Sequence, residues 1–112
     1  LCLKVAERLA NDKVANCEVI DLRSLIPLDK ETIFESVKKT SKVLIVHEDK
    51  VFSGFGAELA ATIGTELFQH LDAPIQRVGS VFTPVGFHPV LEKAILPDAD
   101  RIYKAASDLL AY

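Results

Sequence analysis

Methionine and tryptophan are absent from the sequence, and cysteine occurs only twice, as Cys2 and Cys17. Two cysteines are too few for a disulfide framework, and neither has a histidine or second cysteine at the spacing of a metal site. We therefore expect both to be buried thiols in a reducing compartment, with Cys17 in the core.

Long apolar runs and runs of basic residues are also missing. No apolar run approaches the ~20 residues of a transmembrane helix, and the N-terminal residues do not resemble a signal peptide. The net charge is −3 and the longest basic run is the pair Lys38-Lys39, so phosphate backbones and anionic lipids are attracted only weakly. We expect no nucleic-acid partner and no membrane partner.

Helical and strand patterns alternate along the 112 residues, a length typical of one domain. The helices are indicated by apolar spacing, with Asp29 and Asp98 as N-caps of two of them. This alternation predicts an α/β fold with three layers, α/β/α, around a mostly parallel sheet. The predicted strands are Cys17–Leu22, Val43–Val46 and Ile75–Val78.

The first predicted helix starts at residue 1 without a Ser, Thr, Asp or Asn to cap it. Three strands also make a thin sheet for a domain whose sheet is covered on both faces. Both observations predict a first strand before residue 1, and hence that residues 1–112 are a single domain belonging to a longer chain.

A glycine-containing loop, Ser53–Glu58, lies between the central strand and a long helix. Such loops bind phosphates when their backbone N–H groups can approach the anion. The third glycine of a dinucleotide-binding fingerprint is Leu59 here, and six residues intervene between strand and loop. The alternatives are a small nucleotide-binding module and a structural junction in which Ser53 caps the helix.

Three titratable residues, His47, Glu48 and Asp49, end the central strand. An imidazole beside carboxylates suits proton transfer or metal binding. Strand alternation places His47 and Asp49 on one face and Glu48 on the other. The alternative is that these side chains anchor the following loop and contribute to an interface.

Three segments carry a resemblance to a known family. Residues 18–29 (EVIDLRSLIPLD), 43–61 (VLIVHEDKVFSGFGAELAA) and 77–97 (RVGSVFTPVGFHPVLEKAILP) resemble the C-terminal, transketolase-type domain of the β subunit of 2-oxo acid dehydrogenase E1 components. These are the thiamine-diphosphate enzymes of the pyruvate and branched-chain 2-oxo acid dehydrogenase complexes.

The resemblance implies a structural rather than a catalytic domain. Thiamine diphosphate and Mg²⁺ belong to the parent enzyme and lie elsewhere in it, so we expect no catalytic residue and no cofactor or metal ligand here, and no activity from the isolated domain. The expected roles are subunit contact and docking of the E2 peripheral subunit-binding domain. The candidate interface and loop-anchoring residues are His47, Glu48, Asp49, Ser53 and Phe55, and the candidate docking residues are Asp72 and Tyr112.

The implied partners are the E1 α subunit or a fused equivalent, a second β-type subunit, and E2. The implied location is the bacterial cytoplasm or the mitochondrial matrix. Two other interpretations stay open at this point, namely the small nucleotide-binding module and a free-standing adaptor with no enzyme parent.

Overall fold

A computed structural model describes all residues from Leu1 to Tyr112. It contains five α-helices, a short 3₁₀ helix at Phe68–His70, and two strands. In chain order they are α1 (Cys2–Asn11), α2 (Lys30–Thr40), β1 (Leu44–Lys50), α3 (Phe55–Leu67), β2 (Gln76–Ser80), α4 (Pro89–Ile95) and α5 (Ala99–Leu110).

The predicted caps at Asp29 and Asp98 are confirmed. The Asp29 carboxylate accepts a hydrogen bond from Thr32 N at 3.1 Å, and that of Asp98 accepts one from Arg101 N at 2.8 Å. Each bond satisfies an N–H that has no partner within the helix. The N-cap residue of α1 is Leu1, which makes no side-chain capping hydrogen bond, as the sequence indicated.

The two strands pair in parallel, with Leu44 opposite Gln76 and Val46 opposite Val78. The register shifts between Val46 and Lys50, where β1 approaches its carboxyl end. An irregularity of this kind redirects side chains at a sheet edge.

Helices cover both faces of this sheet, which confirms the three-layer α/β/α prediction. On one face, Ile45 packs with residues of α2 and α3 in what we call the α2/α3 cluster (Ile33, Val37, Ile45, Leu59, Ile63 and Leu67). On the other face is the α1/α5 cluster (Val5, Leu9, Val78, Ile102 and Ala106). Because successive strand residues point to opposite faces, the apolar run of β1 contributes to both clusters.

The strand predicted at Cys17–Leu22 is wrong. Residues 15–24 form neither helix nor strand, and Cys17 is exposed rather than part of the core, while Cys2 is half-buried. The residues have the β-branched composition of a strand, but a strand also requires a hydrogen-bonded neighbour, and none lies beside them. Partial burial still raises the pKa of the Cys17 thiol.

No helix of the structure combines the length and the apolar character needed to cross a membrane.

Candidate functional site

The candidate site is the carboxyl edge of the sheet, where the loop after β1 is fastened to β2. Arg77 Nη1 donates a hydrogen bond to Val51 O at 2.9 Å, and Ser80 Oγ donates one to Glu48 O. Both donors belong to β2, and Ser80 is itself buried. Chain connections at this edge carry the binding surfaces of many α/β domains.

His47 fills a space between three glycines. A Cβ on Gly56 would lie 2.5 Å from His47 Cδ2, and one on Gly54 would lie 2.9 Å from Cε1. The third glycine is Gly79 on β2, where an added Cβ would lie 3.2 Å from His47 Cε1. Both ring nitrogens are covered and have no hydrogen-bond partner, although the residue as a whole is half-buried. The imidazole is thus packed between the start of α3 and strand β2.

The two carboxylates beside His47 differ in position, as strand alternation predicts. Asp49 Oδ2 lies 3.2 Å from the Cβ position of Gly54, on the same side as the His47 ring. The other Asp49 oxygen accepts a hydrogen bond from Lys50 N at 2.7 Å. Glu48 is exposed, and only its backbone carbonyl is fixed. These contacts fix the backbone at the end of β1, while the Glu48 side chain is exposed to solvent.

Ser53 does not cap α3, contrary to the structural alternative drawn from sequence. The N-cap residue is Gly54, and no side chain makes a capping hydrogen bond there. Ser53 is exposed and has φ 58°, in the left-handed region. Phe55 is half-buried and packs against the α2/α3 cluster, so it anchors the loop from inside the domain.

An exposed apolar surface at the same edge was not foreseen from the sequence. Phe52 and Phe82 contact each other edge to face, with ring centroids 5.5 Å apart, and they are 70% and 69% exposed. Val85 and Phe87 lie further along the irregular segment that carries Phe82, and their side chains are more exposed than those of Phe52 and Phe82. We call the contacting pair Phe52 and Phe82 the aromatic surface. The signal available in the sequence was an apolar stretch, residues 81–87, without helical or strand periodicity.

The candidate docking residues lie at the opposite, amino edge of the sheet. Asp72 is exposed, and its N–H donates to Ser41 O at 2.9 Å. Leu109 O accepts a hydrogen bond from Lys42 Nζ at 3.4 Å, which fastens the end of α5 beside the start of β1. Tyr112, three residues further, is 71% exposed. The structure therefore places both candidates at one edge, away from the aromatic surface.

The residues of the glycine loop do not fit a diphosphate. The face of the loop on which Gly54 and Gly56 would carry a Cβ is filled by the His47 ring, the Asp49 carboxylate and a backbone oxygen, so an anion cannot lie against that face. The Asp49 carboxylate would in addition repel it. No three His, Cys, Asp or Glu side chains are grouped to hold a metal ion. The geometry thus argues against the nucleotide-binding alternative.

Besides that of Cys17, four pKa values are displaced, and all four belong to side chains that make contacts with or between helices. The pKa of Glu18 is lowered by hydrogen bonds from Lys39 and Ser36, and that of Asp29 by hydrogen bonds from Thr32. Those of Arg8 and Tyr103 are raised by hydrogen bonds to Asp100 and Asp12 respectively. Arg8 Cζ also lies 4.1 Å from the centroid of the Tyr103 ring, which joins α1 to α5.

The class of domain is defined by the fold and by a comparison with protein families. The model of the transketolase C-terminal domain family matches residues 1–102. The chain belongs to this family, which agrees with the parallel sheet between two helical layers.

Particular relatives are β subunits of 2-oxo acid dehydrogenases and of an acetoin oxidoreductase. The chain is 44% identical over 112 residues to the pyruvate dehydrogenase E1 component subunit beta of Rickettsia felis, all of this chain and 34% of that protein. It is 43% identical over 108 residues to the mitochondrial 2-oxoisovalerate dehydrogenase subunit beta of Dictyostelium discoideum, 96% of this chain and 29% of that protein. It is 39% identical over 108 residues to the acetoin:2,6-dichlorophenolindophenol oxidoreductase subunit beta of Bacillus subtilis, 96% of this chain and 31% of that protein. The chain thus spans about a third of the length of these relatives.

Proposed function

We propose that residues 1–112 form the assembly domain of a β-type subunit in a thiamine-diphosphate-dependent 2-oxo acid dehydrogenase E1 component. The parent enzyme decarboxylates a 2-oxo acid and transfers the acyl group to lipoyl-E2. Within it, this domain contacts a second β-type subunit and the α subunit or its fused equivalent, and it docks E2. The names of the relatives support the enzyme class. One relative is a bacterial pyruvate dehydrogenase subunit, and another is a mitochondrial 2-oxoisovalerate dehydrogenase subunit. The proposed location is accordingly the bacterial cytoplasm or the mitochondrial matrix.

The observation that carries the proposal is the aromatic surface at the carboxyl edge. Exposed aromatic side chains that are close together are typical of the centres of protein interfaces. The loop that carries Phe52 is tied to β2 by the hydrogen bond from Arg77 to Val51, which restrains Phe52 before a partner arrives. Exposed Glu48 lies near the end of β1, just before this loop, and supplies a polar rim.

Paired substitutions of the aromatic surface test the subunit contact. We expect Phe52→Ser with Phe82→Ser in the complete β-type subunit to weaken self-association at least tenfold, measured by sedimentation equilibrium. Phe68→Ser is the control, because Phe68 is 76% exposed but lies on the 3₁₀ helix outside this surface. Equal association of the double variant and the unmodified subunit would contradict the assignment.

The amino edge supports docking of the E2 peripheral subunit-binding domain. Asp72 and Tyr112 are exposed there, and both are held close to β1 through the contacts of Ser41 and Lys42. A carboxylate and a phenol at a fixed edge can bind a basic surface through charge-assisted hydrogen bonds.

Binding of isolated E2 peripheral subunit-binding domain, measured by calorimetry, tests the docking residues. We expect Asp72→Asn and Tyr112→Ala each to weaken binding by about twofold to fivefold, as loss of one exposed polar contact does. Glu66→Gln, another exposed carboxylate, should leave the Kd unchanged. If Glu66→Gln weakens binding as much as Asp72→Asn, docking is a nonspecific charge effect and the assignment fails.

Thiamine diphosphate provides a test of the cofactor assignment. Titration of residues 1–112 with thiamine diphosphate and Mg²⁺ should give no binding heat, because the face of the glycine loop beside His47 has no space for a diphosphate. NAD and ATP should likewise leave the Tm unchanged. Micromolar binding of any of these by the isolated chain would overturn the assembly role in favour of a nucleotide-binding module.

A further inference from the structure

The segment of residues 81–95, which we call the 81–95 segment, is closed at its two ends and lies outside both apolar clusters. Val81 N donates a hydrogen bond to Ile95 O at 3.0 Å. Arg101, on α5, donates to Gly79 O at 2.8 Å and to Leu96 O at 3.3 Å, so it holds the chain on either side of the segment. No residue of the segment is buried, and none belongs to the α1/α5 or the α2/α3 cluster. The conformation between its ends therefore depends on contacts within the segment.

Helix α4 forms the second half of the 81–95 segment, and His88 is its N-cap residue. His88 Nδ1 accepts a hydrogen bond from Val90 N at 3.3 Å. Gly86 lies against the same helix, because an added Cβ there would be 2.5 Å from Leu91 Cβ. The helix has seven residues and none of them is buried. A helix this short is marginal without tertiary packing, so its cap contributes much of its order.

A histidine cap loses its acceptor when the ring is protonated. Neutral imidazole accepts a hydrogen bond at one nitrogen, whereas imidazolium carries an N–H at both and accepts at neither. In the protonated ring, the N–H at His88 Nδ1 would face the N–H of Val90, and the positive charge would lie at the positive end of the helix dipole. Histidine is the side chain type whose charge ordinarily changes between pH 5 and 8. Protonation of His88 therefore removes the cap.

Few charged groups near His88 oppose this effect. Residues 78–87 carry no charged side chain, and Arg101 contacts the far end of α4 at Leu96 O. The charged residues of α4 itself are Glu92 and Lys93, and no ion pair involves His88. Glu92 lies one turn after His88, at the i+4 position from which a carboxylate can pair with a protonated ring.

We infer that His88 is a pH-sensitive cap that sets the conformation of the 81–95 segment. Neutral His88 orders the first turn of α4, and protonated His88 releases it. The segment carries the exposed side chains of Phe82, Val85 and Phe87, so the release changes how these apolar groups are presented. If the aromatic surface is the subunit contact, as proposed above, that contact weakens as pH falls.

Hydrogen exchange of the complete polypeptide, followed by mass spectrometry of a peptide spanning residues 88–95, tests the inference. After correction for the intrinsic effect of pH on exchange, we expect protection to fall about threefold or more between about pH 7.5 and about pH 5.5. His88→Asn should abolish the fall, because asparagine caps a helix at both pH values. His70→Asn, at an exposed histidine outside the segment, should retain it. An equal fall in His88→Asn and the unmodified protein, or no fall in either, overturns the inference.

Glu92→Gln separates loss of the cap from capture of the charged ring by a carboxylate. We expect the fall in protection to persist in this variant, because the cap is lost whether or not residue 92 is charged. If protection of the unmodified protein instead rises at the lower pH, and Glu92→Gln abolishes the rise, the protonated ring is held by Glu92 and the inference is overturned.

Self-association distinguishes the cap from the proposed subunit contact on which its functional effect rests. By sedimentation equilibrium we expect association about threefold weaker at about pH 5.5 than at about pH 7.5 in the unmodified protein, and no such change in His88→Asn. If protection of α4 follows pH but association does not, the cap is supported and the aromatic surface is contradicted as the subunit contact.

Discussion

Ser53 adopts a backbone conformation that favours glycine. Its φ is 58°, where a side chain costs about 1–2 kcal/mol relative to ordinary helical backbone. The residue is exposed and makes no capping bond, so its hydroxyl does not compensate for this cost.

We therefore expect Ser53→Gly to raise the free energy of unfolding by about 0.5–1 kcal/mol. This is the strain energy that glycine relieves, reduced by the larger conformational entropy that glycine has in the unfolded chain. Urea unfolding followed by circular dichroism measures the change. Ser24→Gly is the control, because Ser24 is exposed and lacks a positive φ, and it should be neutral or destabilising. Equal effects of the two substitutions would mean that Ser53 is not strained.

Gly56 and Gly64 lie in the same helix but meet different surroundings. A Cβ on Gly56 would lie 2.5 Å from His47 Cδ2, whereas one on Gly64 would meet only Ile75 Cδ1 at 4.0 Å. The His47 ring also lies close to Gly54 and Gly79, where added Cβ atoms would be 2.9 Å and 3.2 Å from its Cε1.

For this reason Gly56→Ala should lower the free energy of unfolding by about 1–3 kcal/mol, as overpacking does. Gly64→Ala should raise it by about 0.5–1 kcal/mol through helix propensity alone. Guanidinium unfolding of the two variants in parallel provides the comparison. Stabilisation by both substitutions would show that His47 can move and that the glycines are not needed for its position.

Local signals in the sequence were sufficient for the helices and their caps but not for every side chain. Asp29 and Asp98 were identified because capping depends on residues within one turn. The exposure of Cys17 was not predicted, because the burial of a side chain depends on which other elements pack against it. The same limit applies to Phe52 and Phe82, which meet only after the fold brings two loops together.

At the scale of single elements, the stability of the N-terminal end of helix α2 depends on pH. The Asp29 carboxylate bonds Thr32 N and, at 2.7 Å, Thr32 Oγ1, and these bonds lower the pKa of Asp29. A carboxyl group with a lowered folded-state pKa contributes stability above its ordinary pKa, and this contribution disappears as pH falls through the folded value.

We accordingly expect the Tm of the unmodified chain to fall more steeply than that of Asp29→Asn between about pH 5 and about pH 2, because asparagine caps a helix at any pH. Differential scanning calorimetry measures both curves. Glu35→Gln, an exposed substitution in the same helix, should follow the unmodified chain. Parallel curves for Asp29→Asn and the unmodified chain would contradict a role of the ionised cap.

Strands were harder to anticipate than helices, for a physical reason. Helix α5 is specified by its apolar spacing and by Asp98, both within its own residues. Residues 17–22 have strand composition, yet their hydrogen bonds require a neighbour that these residues do not themselves contain. Strands β1 and β2 formed as expected because each supplies the partner of the other.

At the scale of the whole molecule, two clusters on opposite faces share one narrow sheet. Leu9 is the most buried residue of the α1/α5 cluster and Ile63 of the α2/α3 cluster, each 1% exposed. Because the sheet has only two strands, we expect the loss of a buried side chain on one face to have little effect on the stability of the helices on the other face.

Leu9→Ala and Ile63→Ala should each cost about 2–5 kcal/mol of unfolding free energy. We expect Leu9→Ala to accelerate hydrogen exchange mainly in α1 and α5, and Ile63→Ala to do so mainly in α2 and α3. Each variant is the control for the other when both are followed by mass spectrometry. Uniform acceleration across all helices in both variants would show instead that the domain opens only as one unit.

The two edges of the sheet also differ in how they should respond to salt. Strand β1 has seven residues, which at about 3.3 Å each separate the amino edge from the carboxyl edge by roughly 20 Å. The Debye length is only about 8 Å at physiological ionic strength, so the charge on Asp72 is not felt at Phe52 and Phe82. A partner held through Asp72 should therefore dissociate when salt is raised, while a partner held on the aromatic surface stays bound. Ionic strength alone would then separate the two contacts of one small domain.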